Sequence, residues 1–167
     1  MKIYTSKVES PFGIIYLASS DDGLVQIGLS TEEKFVVELN KKFPKAQIEE
    51  NNAKNQLALQ QLKDYFSGKR NDFSVPLKLA GTEFQKKVWN ELLKIPYGQT
   101  VTYGEIAKNI GNPKAVRAVG LANNRNPVAI IVPCHRVIGV NGKLVGYGGG
   151  LDMKESLLKL EGALLVY

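Results

Sequence analysis

The single cysteine and single histidine of this chain are neighbours, Cys134 and His135, inside the stretch "IVPCHRVIG". A thiol and an imidazole are the two groups that nucleophilic chemistry needs: the thiolate attacks and the imidazole takes its proton. Three local features favour that reading over coincidence. Pro133 opens a helical turn, which sets the thiol at the positive end of the turn and lowers its pKa. His135 and Arg136 bring positive charge close by. The apolar run "VAIIV", Val128 to Val132, reads as a strand that pins the turn. Adjacent side chains seldom point the same way, so a bridging water would carry the proton between them. The plainer alternative is a small buried cysteine beside an unrelated histidine. An activated cysteine also wants its base oriented, and Glu161 is the candidate. It lies at the end of the last helix, where a carboxylate faces the negative pole of the helix dipole. Such a placement marks either a paired group or an exposed, fraying end.

The elements that must hold these groups divide the chain. Residues 1–75 open with strand-like runs, "KIYTSKV", "GIIYLASS" and "GLVQIGLS", separated by the turn signals "SPFG" and "DDG". They predict a small antiparallel meander. "NQLALQQLKDYFSG" predicts a helix stopped by Gly68. Residues 67–81, broken by Pro76, read as a linker to a second domain over 81–167. There the texture is short helices. Thr82 and Gln85 form a capping box at the start of "TEFQKKVWNELLKI", and Thr102 and Glu105 repeat the spacing in "TYGEIAKNIG". Asn112 as cap and Pro113 at the first helical position open "KAVRAVGLANN". Two short helices joined through Gly111 and Asn112 make a helix-turn-helix pattern. The final helix, "LDMKESLLKLEG", has Asp152 and Glu155 at cap spacing and Gly162 as its stop.

Charge singles out the same block. Residues 81–150 hold nine Lys/Arg against three Asp/Glu, a net +6, while residues 1–80 hold eleven against ten. A one-sided basic block points to a phosphate-rich partner. The second helix of the pattern is built from small residues, Ala115, Ala118, Gly120 and Ala122, with Arg117 among them. Small residues let a helix press against a narrow surface, and one arginine could reach into a base stack; a tightly packed core helix with Arg117 at its rim fits equally. One cysteine forms no internal disulfide, and one Cys with one His cannot cage a structural zinc, so no metal or cofactor is expected. The start, "MKIYTSKVESPFG", lacks a secretion signal, so a cytoplasmic location is expected.

"PCHRV", Pro133 to Val137, resembles the active-site signature of the O6-alkylguanine-DNA alkyltransferases. The resemblance continues in the family's order through "YGQTVTYGEIA", "GNPKAVRAVGLAN", "NPVAIIVPCHRVIG" and "GYGGGLDMKESLLKLEG", covering roughly residues 80–163. It implies a ribonuclease-H-like α/β N-terminal domain and a mainly α C-terminal domain with the helix-turn-helix. It implies a DNA repair protein that flips O6-alkylguanine, and less readily O4-alkylthymine, out of the duplex. The alkyl group then moves irreversibly to Cys134, once per molecule. The family roles fall on His135 as base through a water, Glu161 as its orienter, and Tyr103 at the flipped purine. Arg117 would fill the stack and Asn126 brace the turn. Ala115, Ala118, Gly120, Lys114 and Asn123 would lie on the DNA side. Val137, Tyr147, Gly148 and Ala129 would line the base pocket. The implied partner is double-stranded DNA, bound by a monomer. Gly148 stands where some members have serine, Asn123 where some have methionine, and Ala129 where some have proline. The zinc site of some relatives has no ligands here. Rival readings are a helix-turn-helix regulator without chemistry, a cysteine hydrolase, and the non-catalytic alkyltransferase-like class, which lacks the cysteine.

Overall fold

The computed structural model describes residues 1–163 and divides the chain into two compact units, Met1–Leu79 and Ala80–Tyr167. In the first unit, β1 (Lys2–Ser10), β2 (Gly13–Ser20) and β3 (Gly23–Gly28) form the expected antiparallel meander. The sheet does not end there. Helix α1 (Glu32–Lys42) carries the chain back, so that β4 (Gln47–Glu50) lies parallel to β1, with Ile3 opposite Ile48. The sheet is therefore mixed, in the order β3-β2-β1-β4, rather than antiparallel throughout. A parallel neighbour needs a crossover, and α1 supplies it.

Helix α1 starts at Thr31, whose hydroxyl accepts from the Lys34 amide at 3.2 Å. Glu32 and Glu33 in its first turn and Lys41 and Lys42 in its last complement the dipole. Phe35 and Leu39 are buried against Ile3, Ala18 and Val25. Helix α2 (Gln56–Phe66) lies against β1 and buries Ala58, Leu62 and Tyr65. The segment read as a linker is docked, not free: the Leu24 amide donates to the Pro76 carbonyl at 2.8 Å, and the Lys78 amide to the Leu24 carbonyl at 2.9 Å.

In the second unit, α3 (Glu83–Leu92) begins with both halves of the expected capping box, at 3.1 and 3.0 Å. Strand β5 (Val101–Thr102) runs straight into α4 (Tyr103–Asn109), capped by Thr102 as expected. Helix α5 (Val116–Asn124) starts three residues later than Asn112 and Pro113 suggested, with Ala115 as its N-cap. Those residues form a turn, closed by the Ala115 amide on the Asn112 carbonyl at 3.0 Å. Proline fits the second position of such a turn as well as it fits the first position of a helix. Helices α3 and α4 both pack on α5, and the Trp89 indole donates to the Ala122 carbonyl at 2.8 Å. A single 3₁₀ turn, Cys134–Arg136, leads into β6 (Val137–Ile138). Helix α6 (Leu151–Leu160) follows Gly150 and buries Met153, Leu157 and Leu158. Asp152 is not its cap; no side chain caps this helix, and Asp152 sits in the first turn. Among the described residues no helix is long and apolar enough to cross a membrane.

Candidate active site

Two short pairings fix the neighbourhood of Cys134. Strand β6 lies parallel to β5, with Val137 opposite Val101 and Ile138 opposite Thr102. The turn carrying Cys134 comes just before β6, and Tyr103 comes just after β5, so the pairing sets one against the other. The run Val128–Val132 is not a strand. It is a buried turn, closed by the Val132 amide on the Val128 carbonyl at 2.9 Å. Asn126 ties both ends of that turn: its Nδ2 donates to the Val132 carbonyl at 2.8 Å, and its Oδ1 accepts from the Val128 amide at 3.0 Å. Ile130, at the centre, has φ 75°, which a β-branched residue adopts only under constraint. Burial and the Asn126 ties provide the constraint, which the apolar sequence pattern did not reveal.

The turn and the charges of His135 and Arg136 were expected to acidify the thiol, and the buried setting of Cys134 works against that. Cys134 is buried, and burial pushes its pKa up to about 11. A hydrogen bond from Asn126 and the charge of Lys154 pull the other way without cancelling that effect. A three-residue turn has too few aligned peptides to offset full desolvation. Arg136 is not aimed at the thiol either. Its Nε donates to Glu161 Oε1 at 2.7 Å and its Nη2 to Oε2 at 2.9 Å, while Nη1 reaches the Ile95 carbonyl at 2.7 Å.

Glu161 is buried, not frayed. Its Oε2 also lies 2.7 Å from His135 Nε2. With Arg136 bound to it, the carboxylate is an acceptor, so Nε2 carries the proton and Nδ1 presents its lone pair. Nδ1 is buried and has no hydrogen-bond partner in the protein. Burial pushes the His135 pKa down, and Glu161 opposes that shift. The result is an imidazole that is neutral at pH 7 and free to accept a proton.

Lys154 was missed in the sequence, although a signal for it exists. It falls three and four residues before Leu157 and Leu158, on the apolar stripe of α6. Its side chain is buried, and Nζ donates to the carbonyls of Val145 and Gly146 at 2.9 and 3.2 Å. Nζ also stands 5.8 Å from the centroid of the Tyr103 ring. The Tyr103 hydroxyl donates to the same Val145 carbonyl at 2.8 Å. Lys154 and Tyr103 thus hold one loop between them. Burial lowers the Lys154 pKa to about 8 and raises that of Tyr103 to about 12. Tyr147, further along this loop, sets its ring edge-on to His135, at 87° and 6.5 Å between centroids. Gly148 is exposed, with open space where a Cβ would be, so a serine there would fit.

The chain matches two family models: the ribonuclease-like domain of 6-O-methylguanine DNA methyltransferase over residues 3–79, and its DNA binding domain over residues 83–163. A methylated-DNA–protein-cysteine methyltransferase of Methanosarcina acetivorans is 56% identical over 161 residues, covering 96% of this chain and 99% of that one. The chain belongs to the methylated-DNA–protein-cysteine methyltransferase family. Among solved structures, the O6-methylguanine methyltransferase of Mycobacterium tuberculosis has a TM-score of 0.80 at 44% identity, covering 96% of this chain and 93% of its own. A complex of that organism's OGT with DNA scores 0.81 at 44% identity, covering 97% and 93%.

Seen as a methyltransferase of this family, the second unit keeps Arg117, Ala118 and Leu121 on the exposed side of α5, with Gly120 partly exposed. Ala115 caps the helix instead of lying within it, and Lys114 is exposed on the preceding turn. Asn123, expected on the DNA side, is buried. Its Nδ2 donates to the Cys134 carbonyl at 3.4 Å. It belongs behind the helix, joining α5 to the thiol turn. Val137 is wholly buried, and Ala129 lies within the buried Val128–Val132 turn.

Proposed function

We propose that the chain repairs alkylated DNA by moving the alkyl group of O6-alkylguanine, and less readily of O4-alkylthymine, onto Cys134 in a single turnover. One observation carries the reading: a neutral, Glu161-oriented His135 has a buried, unpartnered Nδ1 on the residue next in sequence to the only thiol of a chain in this family. A water between Nδ1 and Sγ takes the thiol proton to His135. The thiolate attacks the alkyl carbon in line with the C–O6 bond. The S–C bond forms as the C–O6 bond breaks, and its electron pair returns to the purine, which takes up a proton and becomes guanine. Because the thiol starts with a raised pKa, this proton transfer has to be supplied by the site, and Lys154 stabilises the thiolate once formed.

The buried thiol lies out of reach of a base stacked in a duplex, which supports extrusion of the base before reaction. Arg117, exposed on α5, would fill the vacated stack, and the Tyr103 hydroxyl, protonated throughout the physiological range, would exchange the Val145 carbonyl for the purine as its acceptor. Lys114 would meet a phosphate, and the small surface of Ala118 and Gly120 would let α5 enter the minor groove. Tyr147 and Gly148 would flank the base, and Val137, wholly buried, would support the pocket from within. No second thiol can take the group onward. The reading also makes the protein a monomer on DNA. Incubation with a duplex containing O6-methylguanine, followed by peptide mass analysis, should find one methyl group on the "PCHR" peptide. Transfer undiminished in Cys134→Ser would overturn the proposal.

A further inference from the structure

The outer face of α5 holds a residue that the reading above leaves without a task. Leu121 is 61% exposed, one turn beyond Arg117 on the same face. Between them Gly120 has ordinary helical dihedrals, and a Cβ there would meet nothing within 4 Å. Neither backbone conformation nor internal packing requires glycine at this position, and glycine weakens a helix relative to alanine. Its bareness therefore suits close approach by something outside the protein. Three residues past Leu121, Asn124 lies against Gly146, with its Oδ1 3.0 Å from where a Cβ would be. The face bearing Leu121 is thus continuous, from Arg117 to the loop that carries Tyr147.

Resting on the assignment of α5 to the minor groove, we propose that Leu121 makes the protein's reaction depend on the base pairs beside the lesion, favouring pairs without a minor-groove amine. Leu121 is displaced about 6 Å from Arg117 along the helix axis, one to two base-pair steps from the extruded base. An isobutyl group pressed to the groove floor there excludes water and offers no hydrogen bond. Every base pair presents acceptors on that floor, so their desolvation cancels between sequences. G·C alone adds the N2 amine of guanine. Under Leu121 that donor loses its water and gains no partner, and it also fills space the side chain would take.

The test measures the rate of methyl transfer from duplex O6-methylguanine with A·T, G·C or inosine·C at the two pairs on each side. Inosine·C keeps the major-groove face of G·C and both minor-groove acceptors but lacks the amine. The wild type should react on the order of fivefold faster with A·T and inosine·C than with G·C, the scale of one unpaired donor in a partly wet groove. Leu121→Ala should bring all three within about twofold. The ratio is taken within each protein, so any general loss of activity divides out. Equal wild-type rates overturn the inference, as does an inosine·C rate as slow as G·C, or a preference that survives in Leu121→Ala. Absence of any transfer from any duplex would instead overturn the repair function itself.

Discussion

Under the proposed mechanism, two ionisations should bracket transfer to Cys134. His135 must be neutral to accept a proton, and burial lowers its pKa, so transfer should fall only below the ordinary histidine range. Lys154 must be charged to stabilise the thiolate, and its pKa is lowered to about 8, so transfer should fall again above that. A bell-shaped pH–rate profile is expected, and Lys154→Met should remove the alkaline limb and slow the reaction roughly tenfold to a hundredfold. A Lys154→Met profile that keeps the alkaline limb would assign that limb elsewhere. The sequence displayed Cys134 and His135 plainly, by rarity and adjacency. It displayed Glu161 only as an oddity at a helix end, because what pairs with it, Arg136 and His135, is brought there by the fold. Lys154 could have been found as a charge on an apolar stripe, but the carbonyls that accept from it belong to a loop with no pattern of its own.

At the scale of elements, the end of α6 and the thiol turn are joined through one carboxylate. Glu161→Gln leaves the buried Arg136 without its counter-charge, so it should cost about 3 kcal/mol of stability as well as slowing transfer. Thermal unfolding would detect the loss, and an unchanged midpoint would mean that the ion pair does not support the fold. On α5, Arg117→Ala should slow repair of duplex more than reaction with free O6-methylguanine base, since only a duplex has a stack to fill. Equal losses on both substrates would count against insertion. Thr82 and Thr102 placed the starts of α3 and α4 correctly, while α3 ends at Leu92, short of the Ile95 that its apolar spacing suggested. The start of α5 was misplaced because Asn-Pro opens turns as readily as helices. Helix α1 carried a full set of caps that went unread, whereas β4, exposed at every residue, had no alternation to read and exists through its pairing with β1. The Val128–Val132 turn misled because an apolar run states burial without stating shape.

For the whole molecule, charge and stoichiometry are the quantities that matter. The net +6 of residues 81–150 implies that binding to undamaged duplex depends little on sequence and weakens steeply with salt. A titration at rising salt that left affinity unchanged would contradict this. In the proposed reaction, single turnover would follow from the chemistry of the product, since a thioether is not hydrolysed as the thioester of a cysteine hydrolase would be. Quantifying methyl transfer with duplex O6-methylguanine in large excess tests the central claim most directly. The account predicts a burst that stops at one methyl group per protein molecule, with all of it on Cys134. Product that keeps accumulating well past one equivalent, with Cys134 recovered unmodified, would contradict it.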